Sequence, residues 1–314
     1  MRKVRSFNEP SSNKKATREW GCNLGKVLDD VIAANRLEQL DDNLFRGYGN
    51  WGPAIRLYGG QVMSQAMSAA QQTVQGNFIL HSMHCSFMRP GDTKRAVIYD
   101  VELMREGKSF VTRRVTARQH GAAIFSCQLS YQKPEQGFDH QAPMPQVSGP
   151  ENLQSEAQML VGKFLKSTLA PPDSPAPSEW PIDFWPIDPV DLLDPKPHSP
   201  LSQVWMRASA PMPDDLALHQ QLLAFASDHN ILVTALRPHA TTFLTPGLQI
   251  ATIDHAIWFH RPFRIDDWLL YQTESTSASN SRGFAIGRIY RRDGTLVASV
   301  SQEGLIRKHK VAAE

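Results

Sequence analysis

Apolar and polar residues alternate along three successive segments in the first half of the chain, at 96–104, 110–118 and 124–131. A period of two places every second side chain on the same face of a β-strand. Short polar segments that contain glycine separate the three, at 106–108 and 120–121. We therefore predict an antiparallel meander of three strands in this half.

The same alternation returns in the second half of the chain. It predicts strands at 249–259, 268–274, 283–291 and 296–306. Apolar positions with helical spacing precede the strands of each half, at 62–70 and at 216–236. Because helix, strand and meander follow one another twice, we predict an α+β fold in which each half wraps an antiparallel sheet around one central helix.

Two similar segments mark this internal repeat. His-Ser-Met-His-Cys-Ser-Phe-Met-Arg-Pro occupies 81–90, and Asp-His-Ala-Ile-Trp-Phe-His-Arg-Pro occupies 254–262. Both contain Phe-x-Arg-Pro, and superposing these motifs relates the two halves by 172 residues, whereas superposing the last turns gives 173. A duplication of this length indicates the architecture before any single residue is considered.

The repeat divides the chain into five parts. We predict a flexible leader at 1–23, an N-terminal half at 24–135, a Pro-rich linker at 136–202, a C-terminal half at 203–310 and a tail at 311–314. The N-terminal half is expected to begin with a short helix at 24–40. In the linker, 154–169 has helical character, whereas ten prolines in 171–200 argue against regular structure there.

Composition excludes several classes of protein. A net charge of +2 gives no basic stripe for nucleic acid. No apolar run has the length of about 18 residues that a membrane span requires. The three cysteines are too few and too scattered for a disulfide framework or a zinc site. We therefore expect a cytoplasmic protein with no metal and no membrane span.

The two halves differ at a few inward positions. Leu80 aligns with Thr252, and Leu129 aligns with Gln302, so two apolar positions of the first half are polar in the second. Asp228 lies at the edge of the apolar stripe of the predicted helix 216–236. Buried polar groups need partners. Two interpretations follow: the three residues satisfy one another structurally, or they form a catalytic cluster that the first half has lost.

The chain resembles the acyl-CoA thioesterase II family, whose members are TesB-like. The resemblance covers roughly residues 24–310 and depends on a series of motifs in one order. These are Leu-Tyr-Gly-Gly-Gln at 57–61, the segment 81–92, Ser-Phe-Val-Thr-Arg-Arg-Val at 109–115, Ser-Asp-His-Asn-Ile-Leu at 227–232, the segment 251–262, Trp-Leu-Leu-Tyr at 268–271, the segment 274–283 and Gln-Glu-Gly-Leu-Ile-Arg at 302–307.

This resemblance implies a double hotdog fold and hydrolysis of acyl-CoA to free fatty acid and CoA, as part of fatty acid metabolism. It also implies that Asp228, Thr252 and Gln302 hold the hydrolytic water, that no cofactor takes part, and that the protein is a homodimer or homotetramer. Gln302 and the backbone N–H groups at a helix start are candidates for stabilising the oxyanion. Gly60 and Gly283 are candidate substrate-binding residues, although close backbone packing is the alternative for Gly60. We expect acyl chains of medium to long length.

Other chemistry is less favoured by the sequence. The histidines at 81, 84, 255 and 260 lie in predicted strands and are interpreted as structural, and Cys85 and Cys127 as core residues. A Gly-x-Ser-x-Gly elbow is absent. Two alternative functions remain open. One is a hotdog hydratase acting on enoyl thioesters, for which Asp228-His229 weakly resembles the required pair, and the other is a non-catalytic acyl-CoA binding module.

Overall fold

The computed structural model describes residues 24–49, 56–164 and 180–309. Its α-helices are α1 Leu24–Ala34, α2 Gly59–Gln72, α3 Glu156–Phe164 and α4 Leu216–Ser227, and short 3-10 helices cover Pro150–Asn152 and Leu232–His239. The strands of the first half are β1 Glu38–Asp41, β2 Leu44–Gly47, β3 Ile79–Phe87, β4 Val97–Glu106, β5 Phe110–Gln119 and β6 Ala122–Gln132. Those of the second half are β7 Ile182–Pro186, β8 Leu201–Ala208, β9 Leu248–Phe259, β10 Leu269–Ser279, β11 Arg282–Arg291 and β12 Leu296–Lys308.

Each half builds one antiparallel sheet, and the two sheets join edge to edge. The strand order in the described residues is β1-β2-β4-β5-β6-β3-β9-β12-β11-β10-β8-β7. The order is the same when it is read from either end, once each strand is replaced by its counterpart in the other half. The join is the antiparallel pair β3–β9, in which Met83 lies opposite Ile257 and Cys85 opposite His255. The double hotdog is as predicted, but its two sheets form one continuous sheet.

The two central helices, α2 and α4, pack against each other inside the curved sheet. Small side chains on α2, among them Ala66, Ala69 and Ala70, are completely buried and let the helix lie close to its surroundings. The start of α2 meets the end of α4, because the hydroxyl of Tyr58 donates to the carbonyl oxygen of Phe225 at 2.8 Å. Since the contact joins opposite ends, the charged and polar groups at the end of α4 face the N-terminus of α2.

Three features of the chain differ from the prediction. The helix expected at 216–236 ends at Ser227, and a turn with Asn230 in the left-handed region (φ 62°) separates it from the 3-10 helix Leu232–His239. The helix expected at 24–40 ends at Ala34, and β1 follows. The Pro-rich stretch 171–200 was expected to lack regular structure, yet β7 lies inside it.

Strand β7 can contain a proline because it lies at the edge of the sheet. Among the described strands it pairs only with β8, so Pro186 needs no second ladder partner for its missing N–H. Strands β7 and β8 both begin before residue 203, so the sheet of the second half extends into the segment predicted as the linker. Residues 1–23 and 310–314, which contain the predicted leader and tail, lie outside the described residues.

Candidate active site

Asp228 is the residue that follows α4, and its carboxylate faces the N-terminus of α2. The backbone N–H of Gly60 donates to Asp228 Oδ2 at 3.0 Å. A helix N-terminus carries partial positive charge and unpaired N–H groups, which favour an anion at this position. The approach is close: a Cβ atom on Gly59 would lie 2.6 Å from Asp228 Oδ2, and one on Gly60 would lie 2.4 Å from the carbonyl oxygen of Phe225.

Thr252 and Gln302 extend the polar network from Asp228. The Thr252 hydroxyl donates to Asp228 Oδ1 at 3.3 Å, and the Gln302 side-chain N–H donates to Thr252 Oγ1 at 3.2 Å. Gln302 is almost completely buried, with 1 % of its surface exposed. The three residues that the sequence singled out, Asp228, Thr252 and Gln302, are thus brought together, with Gly60 as a fourth member.

A β-bulge turns Thr252 toward the helices. Gln302 lies opposite His255 and Gly304 opposite Thr252, so β9 uses one residue more than β12 over this stretch. Thr252 and His255 are three positions apart and would face opposite sides of a regular strand. The extra residue places both on the inner side. The first half has the same irregularity between Leu80 and Ser82, which supports the alignment of Leu80 with Thr252.

His255 belongs to this network, although the sequence suggested only a structural strand residue. Its ring Nδ1 lies 2.6 Å from Gln302 Oε1, and its Nε2 lies 3.0 Å from the hydroxyl of Ser227. A signal was present: the offset of 172 residues aligns His255 with Met83, a third apolar position that is polar in the second half. The sequence nevertheless led us to interpret His255 as structural, because it lies within a predicted strand.

Burial keeps the ionisable side chains around Asp228, those of His255, Tyr58 and Tyr271, in their uncharged forms. Burial lowers the pKa of His255, against the raising effects of the Asp228 charge and the Gln302 hydrogen bond, so the imidazole is neutral at neutral pH. Burial, and then the charge of Asp228, raise the pKa of Tyr58 and of Tyr271 well above the ordinary value. Both phenols bind backbone carbonyls at the end of α4, those of Phe225 and Ser227. They hold the segment that carries Asp228.

The linker also supports this segment. Glu156 in α3 accepts hydrogen bonds at 2.8 Å from His229 Nε2 and from the Asn230 side chain. The ring of His229 stacks on Phe184 of β7, with centroids 4.2 Å apart. The two residues after Asp228 are therefore fixed by two elements of the linker. His229 points to Glu156, and no hydrogen bond joins it to Asp228 in the described residues.

The remaining candidates lie elsewhere or have other partners. A Cβ atom on Gly283 would meet Ile306 and Ala235, so Gly283 packs beneath the 3-10 helix Leu232–His239. The thiols of Cys85 and Cys127 are buried, and burial raises the pKa of each. His81 and His260 bind the hydroxyls of Ser130 and Ser299 respectively.

In the part of the chain that the structure describes, no group of three or more His, Cys, Asp and Glu side chains is arranged to hold a metal ion. None of the described helices is long and apolar enough to cross a membrane.

Two family models match the two halves of the chain. The model described as acyl-CoA thioesterase N-terminal domain matches residues 48–132, and the model described as acyl-CoA thioesterase matches residues 191–305. The second match contains Asp228, Thr252, His255 and Gln302.

Similar proteins extend over most of the chain. Acyl-CoA thioesterase 2 of Haemophilus influenzae is 40 % identical over 287 residues, which are 90 % of this chain and 99 % of that protein. Human acyl-coenzyme A thioesterase 8 is 40 % identical over 285 residues, with 88 % of each chain covered. The crystal structure of acyl-CoA thioesterase II TesB2 from Mycobacterium marinum is 37 % identical, with a TM-score of 0.73 over 90 % of this chain and 99 % of that one.

Proposed function

Because the chain belongs to the acyl-CoA thioesterase family and is a hydrolase of acyl-CoA thioesters, we propose that Asp228, Thr252 and Gln302 are its catalytic residues. The observation that carries this proposal is one continuous chain of hydrogen bonds, from the Gly60 N–H through Asp228 and Thr252 to Gln302. It lies where the two halves differ, and the first half has apolar residues at the positions of Thr252 and Gln302.

Asp228 acts as the general base in this proposal. Each of its carboxylate oxygens accepts one hydrogen bond, from Thr252 or from Gly60, and retains a lone pair for a water molecule. The carboxylate takes a proton from that water as its oxygen attacks the thioester carbonyl carbon. The C–S bond then breaks, Asp228 returns the proton to the departing CoA sulfur, and the fatty acid is released.

Gln302 supplies a second function, stabilisation of the oxyanion. One N–H of its amide is directed to Thr252, and the other has no acceptor among the described residues. A donor held rigidly in a site that excludes water stabilises developing negative charge strongly. The buried position of Gln302 and its two side-chain partners provide this rigidity.

The hydratase alternative finds less support in the geometry. It requires a histidine and an aspartate that act together, and His229 is instead bonded to Glu156. His255 is separated from Asp228 by Gln302 and Thr252. A non-catalytic binding module would have no need for a carboxylate held by a helix N-terminus.

The test is a panel of saturated and 2-enoyl-CoA esters, followed by CoA thiol release with a thiol reagent and by the enoyl absorbance. We expect thiol release from saturated esters, with no hydration of enoyl esters. Gln302→Ala should lower kcat by about 10²–10³-fold. Binding without thiol release would contradict the enzymatic function, and full activity of Gln302→Ala would contradict the role of the amide.

Several finer features are part of the same proposal. We expect a homodimer or homotetramer in sedimentation experiments, a cytoplasmic location and a preference for medium to long acyl chains. In this proposal Gly60 lies next to the reacting thioester because its N–H binds Asp228, whereas Gly283 contributes to the substrate pocket only through the packing of Ala235 and Ile306 around it.

A further inference from the structure

The imidazole of His255 lies directly behind the catalytic amide and takes no part in the mechanism described above. It is buried, with 1 % of its surface exposed, and both of its ring nitrogens have partners. Nδ1 contacts Gln302 Oε1, and Nε2 contacts the hydroxyl of Ser227. We propose that His255, supported by Ser227, is a positioning residue that determines which way the Gln302 amide faces, an inference that rests on the proposed function.

Counting protons leaves two arrangements of this network for a neutral imidazole. In the first, Ser227 donates to His255 Nε2 and His255 Nδ1–H donates to Gln302 Oε1. The Gln302 amide N–H then donates to Thr252, whose hydroxyl donates to Asp228. In the second arrangement every donor is reversed: Thr252 donates to Gln302 Oε1, the turned amide donates to His255 Nδ1, and His255 Nε2–H donates to Ser227.

The charge of Asp228 selects the first arrangement. An ionised carboxylate only accepts hydrogen bonds, and bonds to a charged group are stronger than bonds between neutral groups. Only the first arrangement gives Asp228 the hydroxyl proton of Thr252. Ser227 can join either arrangement, because its hydroxyl lies 2.9 Å from the carbonyl oxygen of Ala224 and 3.0 Å from His255.

The orientation of the amide has a direct consequence for catalysis. In the first arrangement Gln302 presents an N–H to the reacting centre, where it stabilises the oxyanion. In the second, Gln302 presents its carbonyl oxygen to Thr252, and the Thr252 hydroxyl then donates to Gln302 and no longer to Asp228. Donation from His255 Nδ1 to Gln302 Oε1 therefore holds the amide in the productive orientation.

The fold itself does not require this polar pair. Met83 and Leu129 lie opposite each other in the first half, in the positions that correspond to His255 and Gln302, and both are completely buried. The same sheet thus accommodates an apolar pair at the mirrored place. This makes methionine a suitable replacement for His255.

Three variants of His255 separate positioning from packing. In His255→Asn the amide N–H replaces Nδ1 as the donor to Gln302, whereas in His255→Gln it reaches the place of Nε2, next to Ser227. His255→Met has no donor. We expect His255→Asn to keep most of the wild-type kcat, and His255→Gln and His255→Met to lose about 10- to 100-fold in kcat with little change in KM.

A second measurement examines whether the effect acts through Gln302. In a Gln302→Ala background, His255→Met should cause no further loss of kcat, because the amide that it misorients is absent. An equal loss in both backgrounds overturns the proposal, as does equal activity of His255→Asn and His255→Gln. If His255→Met does not fold, the comparison of Asn with Gln decides alone.

Asp228→Asn distinguishes this proposal from the proposed function. Full activity of Asp228→Asn overturns the function of the whole site. An inactive Asp228→Asn together with a fully active His255→Met overturns only the positioning role.

Discussion

Gly59 offers a substitution that displaces the general base while leaving its chemistry intact. A Cβ atom on Gly59 would lie 2.6 Å from Asp228 Oδ2 and 3.1 Å from the ring of Phe87. Ordinary contacts of a Cβ atom begin near 3.4 Å, so Gly59→Ala must displace the carboxylate oxygen by roughly 0.8 Å. A misplacement of about 1 Å costs about 10²-fold in rate, and we expect a loss of this order in kcat.

The stability of this variant should change much less than its activity. Alanine favours a helix over glycine by about 1 kcal/mol, whereas overpacking costs about 1–3 kcal/mol. The two effects partly cancel, so we expect a fall in Tm of a few degrees at most. The variant is therefore folded and slow.

The assay is thiol release at saturating acyl-CoA, with thermal unfolding measured on the same samples. Gly137→Ala is the matched control, because Gly137 has no atom within 4 Å of an added Cβ, and it should retain both kcat and Tm. Activity of Gly59→Ala within twofold of wild type would refute the reasoning that the position of Asp228 limits the rate.

Three further predictions concern the surroundings of the site. Thr252→Val should lower kcat by about 10- to 100-fold, because the Asp228 carboxylate loses the hydrogen bond from the Thr252 hydroxyl. Thr252→Ser keeps a hydroxyl and should retain most of the wild-type kcat. Equal kcat values for the valine and serine variants would contradict this role of the hydroxyl. Burial raises the pKa of Glu156, but the charge and hydrogen bonds of His229 and Asn230 outweigh it and hold that pKa below 4.5. Glu156 therefore stabilises the fold above about pH 4.5 and loses this contribution as the pH falls through its lowered pKa, so the Tm difference between wild type and Glu156→Gln should shrink below pH 4.5. Arg113→Leu removes buried hydrogen bonds to Thr73 and should cost about 1–3 kcal/mol in the free energy of unfolding without changing kcat, as urea unfolding and the thiol assay will show.

The repeat in the sequence predicted the fold well because alternation and motif order are local properties. The meanders and both central helices follow from them, whereas the joining of the two sheets through β3 and β9 was not predicted. The end of α4 at Ser227 was missed because the apolar spacing continues through Leu232 and Leu236 into the 3-10 helix, so periodicity alone cannot reveal the turn at Asn230. Strand β7 was missed because the many prolines of 171–200, Pro186 of β7 among them, argue against regular structure, and the sequence does not show that β7 is an edge strand.

Thr252 and Gln302 were identified by the differences between the halves and Asp228 by its place at the edge of an apolar helix stripe, but their contacts were not predicted. Asp228 approaches Gly60 only because two helices from different halves meet end to end. Thr252 reaches Gln302 only because a bulge changes the face of β9. Neither relation is encoded in local spacing. The same comparison aligns His255 with Met83, but the role of His255 became visible only in the structure, where both of its ring nitrogens have partners.

The most direct measurement is CoA thiol release by Asp228→Asn beside wild type, with Glu303→Gln as the control. Glu303 follows Gln302 in β12 and is bonded to Arg282 near the surface, so the control makes the same chemical change on the other side of the same sheet. We predict that Asp228→Asn lowers kcat by about 10²–10⁴-fold and that Glu303→Gln leaves it unchanged. An Asp228→Asn enzyme with the wild-type kcat would contradict the account.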